Sequence, residues 1–150
     1  MTFGVYLGIV AAITILPTRL ARYRSLDTNH VNVVPLQYSF RCYRSAWGIH
    51  HDLKTFCLRN TFGNIALFLP LGILLPLLGD RYRSLIRVVL VASCLSLSIE
   101  TIQFLLRFIG NPRAVDIDDV ILNTLGACLG FVFYKYGIAN KEKSSRNQNL

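Results

Sequence analysis

Apolar residues along this chain come in long runs with few polar interruptions, not at a helical or strand period. The runs are Thr2 to Leu16, extendable to Ala21; Thr61 to Leu78; Leu85 to Ile109; and Ile117 to Tyr136. A spanning helix needs about 20 mostly apolar residues, with a range of roughly 17–25. A buried helix of a soluble bundle would instead carry a polar stripe at helical period. Val88 to Ile99 and Val120 to Tyr134 carry no charge on any face. The pattern therefore predicts an all-α integral membrane protein: a four-helix bundle of up-down topology, with spans near residues 2–21, 61–78, 85–109 and 117–136. It forms one membrane domain over residues 1–150, with a polar tail (137–150) expected to be disordered.

The connectors differ in kind. Spans two to four are joined by the tight segments Gly79–Ser84 and Gly110–Arg113. Spans one and two are separated by a long connector that holds the three histidines and the only Trp. Its apolar stretch Val31–Leu36 is too short to cross a bilayer, and Pro35 opposes a regular helix there. A re-entrant or surface-lying segment is expected. The first run has no Lys or Arg before it and no small-x-small site after it, so it is expected to be a retained helix and not a signal peptide.

Composition agrees with the run lengths. Hydrophobic residues make up 53% of the chain and charged residues 16%, against about 25% charged in soluble chains; mean hydropathy is +0.43. Disorder and a nucleic-acid-binding role are excluded on this basis. The net charge of +8 fits loops and tails facing anionic lipid headgroups. Basic residues lie on both sides of the expected bundle, so the positive-inside rule does not orient it.

The polar exceptions are clustered. At about 100° per residue, Glu100, Gln103 and Arg107 fall within a sector of about 60° on the third span. Asp116, Asp119 and Asn123 share a similar sector on the fourth, and Asp118 points the other way. Glu100 lies nine residues before Ile109, about 13 Å at 1.5 Å per residue. Up-down topology then predicts that Asn64, Glu100, Gln103, Arg113, Asp116, Asp119 and Asn123 converge in one layer near one membrane face. Ionisable groups at such depth are costly and persist when paired or functional. Gly126-x-x-x-Gly130 lies on the face of Asp119 and Asn123, and small residues let helix backbones approach closely. Pro70 and Pro76 should free carbonyls of the second span, for which Asn64 or Gln103 could supply donors.

Asn64-x-x-Leu67-Phe68-x-Pro70-Leu71-Gly72, Glu100-x-x-Gln103 and Arg113-x-x-Asp116-Ile117-Asp118-Asp119, continuing through Asn123, Gly126 and Gly130, together resemble the VanZ-like family. Asn32-x-x-Pro35 is similar to that family's Asn-x-x-Pro-Phe element, with Leu36 in place of the aromatic. The resemblance covers most of the chain. It implies a small bacterial multi-pass protein of the inner (cell) membrane with an envelope role, similar to proteins linked to glycopeptide (teicoplanin) resistance. It also implies an outward polar layer and cytoplasmic termini.

Two chemistries fit the layer. It could be an ion network that sets helix register. Alternatively it could bind or modify an anionic lipid or cell-wall precursor. Glu100 or Asp119 would then act as acid or base, Asn64, Gln103, Asp116 and Asn123 would orient substrate, and Arg113 would contact the anion near a helix N-terminus. Arg113 or a divalent cation would have to offset the aspartates. The carboxylates suit Mg²⁺ or Ca²⁺, but no metal and no cofactor are assigned. Cys42 and Cys57 could pair if the long connector faces an oxidising compartment. Other expected partners are membrane lipids, and a membrane protein or second copy packing on Gly126 and Gly130. A small transporter is the remaining alternative, with little room for alternating access.

Overall fold

A computed structural model describes residues 2–15, 31–46, 51–109 and 115–139. The elements are α1 (Thr2–Ile15), β1 (Val31–Asn32), α2 (Gln37–Ala46), α3 (His51–Leu78), α4 (Leu85–Leu106), β2 (Val115–Asp116) and α5 (Ile117–Phe133). Short 3-10 turns follow α3 and α4, and α5 continues into a π-helical turn over Tyr134–Ala139.

Three stretches are long and apolar enough to cross a membrane: Lys54–Leu78, Leu85–Leu106 and Ile117–Ile138. The first run is shorter than expected. α1 has 14 residues, about 21 Å at 1.5 Å per residue, against a hydrocarbon core of about 30 Å. Its expected extension to Ala21 lies outside the described residues, as do Arg113, Trp47 and most of the tail. Among the described residues, then, three helices meet the length criterion, not four.

α3 starts ten residues before the apolar run, at His51 and not Thr61. His51–Asn60 contains no Gly or Pro, so nothing in it stops a helix; the apolar run marks the lipid-facing part, not the helix end. Inside α3, Pro70 and Pro76 each remove a backbone donor. The expectation that Asn64 or Gln103 would serve the freed α3 carbonyls, those of Ala66 and Gly72 by the i−4 rule, is corrected. Asn64 donates to Asp119 and Gln103 to the Thr14 carbonyl, because each faces a nearer acceptor on another helix. The Tyr6 hydroxyl of α1 donates to a different α3 carbonyl, that of Leu67, at 2.9 Å.

The core joins Phe68, Leu71 and Leu75 of α3, Val88, Ala92 and Ile99 of α4, Ala127 and Phe131 of α5, and Val10 of α1. α5 is the central helix: 56% of its spanning window is buried, against 28% for α3 and for α4. Outward-facing Leu and Ile side chains such as Ile86, Leu90 and Leu97 are exposed, as lipid contact requires.

Glycines set the α3–α5 distance. A Cβ on Gly126 would lie 2.2 Å from the Ile65 carbonyl oxygen, one on Gly130 2.0 Å from that of Leu69, and one on Gly72 1.9 Å from that of Ala127. The two backbones meet along this seam, and only residues without a Cβ allow it. α3 therefore covers the Gly126–Gly130 face within the chain, so a partner would have to use another surface.

Candidate functional site

The site is assembled around the N-terminus of α5. Asp116 is the N-cap residue: its backbone is extended and its carboxylate accepts the Asp118 N–H at 2.9 Å. This satisfies one of the donors that a helix start leaves open. The same carboxylate accepts from the Asn32 side-chain amide at 2.8 Å. Asn32 also uses its own carbonyl oxygen, which accepts the Val34 N–H at 3.2 Å and turns the chain. β1 and β2 pair in parallel here, with Val31 opposite Val115 and Asn32 opposite Asp116. The long connector is thus fastened to the start of α5.

Glu100 reaches the same place from α4. Its Oε2 accepts the Asp116 backbone N–H at 3.0 Å, and both residues are buried. On the other flank, Asp119 Oδ1 accepts from Asn64 at 2.6 Å and Asn60 at 3.2 Å. Asn60 and Asn64 lie one turn apart on α3, the spacing that puts both amides on one carboxylate. Hydrogen bonds to a charged acceptor are the strong ones, so these pairs tie α3 and α4 to α5.

Asp118, which the helical wheel turns to the side opposite Asp116 and Asp119, is fully buried. It accepts from the Leu36 N–H, the Ser39 N–H at 2.9 Å and the Ser39 hydroxyl at 2.8 Å. A carboxylate of α5 therefore caps the first turn of α2. Leu36 has φ 63°, a left-handed conformation costing about 1–2 kcal/mol for a residue with a Cβ. Such a conformation persists where the surroundings over-determine it, and the Asp118 acceptor supplies that constraint. A disulfide between Cys42 and Cys57, with Cα atoms 5.9 Å apart, fixes α2 to α3 further along. Tyr43 also donates to Thr61 at 3.1 Å.

The structure brings some predicted site residues together and separates others. Glu100 meets Asp116, and Asn64 meets Asp119. Among the described residues the two candidate catalytic carboxylates serve different donors. Asn123 is deeper: its amide donates to Ser96 of α4 at 2.8 Å, and its Oδ1 is buried without a partner. Gln103 is drawn aside to α1 by the Thr14 carbonyl, 2.9 Å away. Arg113 lies outside the described residues. Arg107 is half-buried, and its Nη1 is enclosed without a partner.

Sequence reasoning missed Asn60, Ser39, Ser96 and the role of Asp118. The Asn60–Asn64 spacing was a usable signal, since i and i+4 share a helix face. Ser39 and Ser96 offered none, because a lone Ser in a helix is more often bonded to its own backbone.

A family model described as VanZ/LLP1 matches residues 3–140. The chain belongs to the VanZ/LLP1 family. Protein VanZ of Enterococcus faecium is 38% identical over 88 residues, covering 59% of this chain and 50% of that protein. The chain thus spans half the length of this curated relative. No solved structure matches. The motifs of this VanZ/LLP1 chain (Asn32-x-x-Pro35, Asn64, Glu100 and Asp116-x-Asp118-Asp119) are the residues that fasten the connector and three helices at one end. Its apolar helices and family membership together mark a membrane protein.

Proposed function

We propose that this protein is a multi-pass envelope protein of the bacterial cell membrane that binds an anionic lipid or lipid-linked cell-wall precursor at the fastened end of its bundle. Four spans are part of this reading, with α1 completed by residues beyond Ile15. The observation that carries it is the buried Glu100–Asp116 contact at the start of α5. It joins α4 to the start of α5 in one polar layer. Arg113 is three residues before Asp116, which limits its Cα to within roughly 11 Å of that contact by chain length alone. A guanidinium there would supply the charge that an anionic headgroup needs. The resemblance to proteins linked to teicoplanin resistance supports a ligand of the envelope. The Cys42–Cys57 disulfide favours an oxidising, outward side for this end, with the termini in the cytoplasm.

Purified full-length protein in nanodiscs, titrated with anionic lipids and with lipid-linked wall precursor, tests the reading. Binding is expected, and Arg113→Ala should weaken it at least tenfold. Equal affinity for the variant would refute the assignment. In cells, Glu100→Gln and Arg113→Ala should each impair function at near-normal membrane levels.

A second reading has its own support. Each described carboxylate of the layer accepts N–H or O–H donors from the chain itself, as a purely structural fastening would. Loss of function that tracks loss of protein level across these variants would favour that non-enzymatic role.

A further inference from the structure

The segment Val33–Arg44 has an outward face that the proposed ligand site does not use. Val33 is 72% exposed and Phe40 76%, with Val34 and Leu36 about half exposed. Ser39, Cys42 and Tyr43 of α2 turn inward to Asp118, Cys57 and Thr61. Phe40, Arg41 and Arg44 occupy the opposite, exposed side. Neither arginine enters an ion pair among the described residues, and no Asp or Glu occurs between Asp27 and Asp52. Contiguous exposed apolar residues mark an interaction surface, and rimming cations select an anionic one.

The level of this segment is set by its bonds to α3. Counting back from Leu78 at 1.5 Å per residue, a hydrocarbon core of about 30 Å ends near residue 59. Cys57, which carries the disulfide, and Thr61, which accepts from Tyr43, straddle that boundary. Beside them, α3 exposes Leu58 and Phe62, so the apolar face of the segment continues the lipid-facing surface of α3. Amphipathic helices with Arg at the rim and aromatic residues on the apolar side lie in this plane of a bilayer.

We infer that Val33–Arg44 is an interfacial anchor, with Val33, Val34, Leu36 and Phe40 dipping into the acyl boundary of the leaflet and Arg41 and Arg44 on the phosphates of anionic lipids. The inference rests on the spanning orientation of α3 but not on the polar-layer ligand. The anchor holds Val33–Arg44 flat at the membrane surface, so a lipid-borne ligand would reach the Glu100–Asp116 end sideways, from within the leaflet.

The test uses full-length protein in proteoliposomes, with Trp47 replaced by Phe so that one introduced Trp reports. Phe40→Trp and Val33→Trp should each give blue-shifted emission that brominated lipids quench and aqueous iodide does not. Arg41→Gln with Arg44→Gln should remove the dependence of that quenching on phosphatidylglycerol content. Phe62→Trp reports on the spanning reading alone: its quenching by brominated lipid shows α3 in the bilayer whatever position 40 does. With position 62 quenched, iodide access to positions 33 and 40 overturns the anchor in favour of a solvent-facing loop. Shielding of both positions from both quenchers overturns it in favour of a protein partner.

Discussion

Gly126→Ala tests the closest contact in the fold. The added Cβ would stand 2.2 Å from the Ile65 carbonyl oxygen, where ordinary contact begins near 3.4 Å. Helix backbone, not a flexible side chain, must yield by about 1.2 Å. Overpacking of this kind costs about 1–3 kcal/mol. The same separation would stretch the 2.6 Å Asn64–Asp119 bond, about two turns back along α5, beyond hydrogen-bond range. A bond to a charged group contributes about 1.5–3 kcal/mol in water, and interhelical polar bonds in bilayers average nearer 0.6 kcal/mol. Gly→Ala also improves helix propensity by about 1 kcal/mol. The net expectation is a loss of about 0.6–5 kcal/mol. Reversible unfolding of the full chain in mixed detergent micelles, followed by circular dichroism, measures it. Gly63→Ala is the matched control: it lies in α3, the helix facing Gly126, and its Cβ would meet nothing within 4 Å, so it should be neutral or stabilising by up to about 1 kcal/mol. If Gly126→Ala is no more destabilising than Gly63→Ala, the α3–α5 seam is not backbone-to-backbone and the account of these glycines fails.

Two further perturbations probe the fastening of the connector. Asp118→Ala strands the Leu36 and Ser39 N–H groups, at about 1–3 kcal/mol each; hydrogen exchange over α2 should accelerate while α4 stays protected, and unchanged α2 protection would contradict the cap. Cys57→Ser opens a link of sequence separation 15, for which chain entropy predicts a loss of about 3 kcal/mol. The same disulfide should leave Cys42 and Cys57 of intact cells open to an impermeant maleimide only after treatment with an impermeant reductant, and labelling only after lysis would reverse the proposed orientation.

Run length alone carried the sequence far. Hydrocarbon thickness dictates how many apolar residues a span needs, so α3, α4 and α5 were legible from their uncharged stretches. Up-down order then put Glu100 and Asp116 at the same end, as it did Asn64 and Asp119. Periodicity could not show what stands opposite a helix face. It turned Asp118 away from its neighbours, and only the tertiary structure supplied α2 on that side to receive it. Nor could it say that Gln103 would turn to α1, or that Gly126 and Gly130 would meet α3 and not another chain, because such choices depend on which backbone lies nearest across a gap of a few ångströms. The start of α3 was hidden for a related reason: hydropathy records where lipid begins, while a helix continues until something in its own backbone stops it.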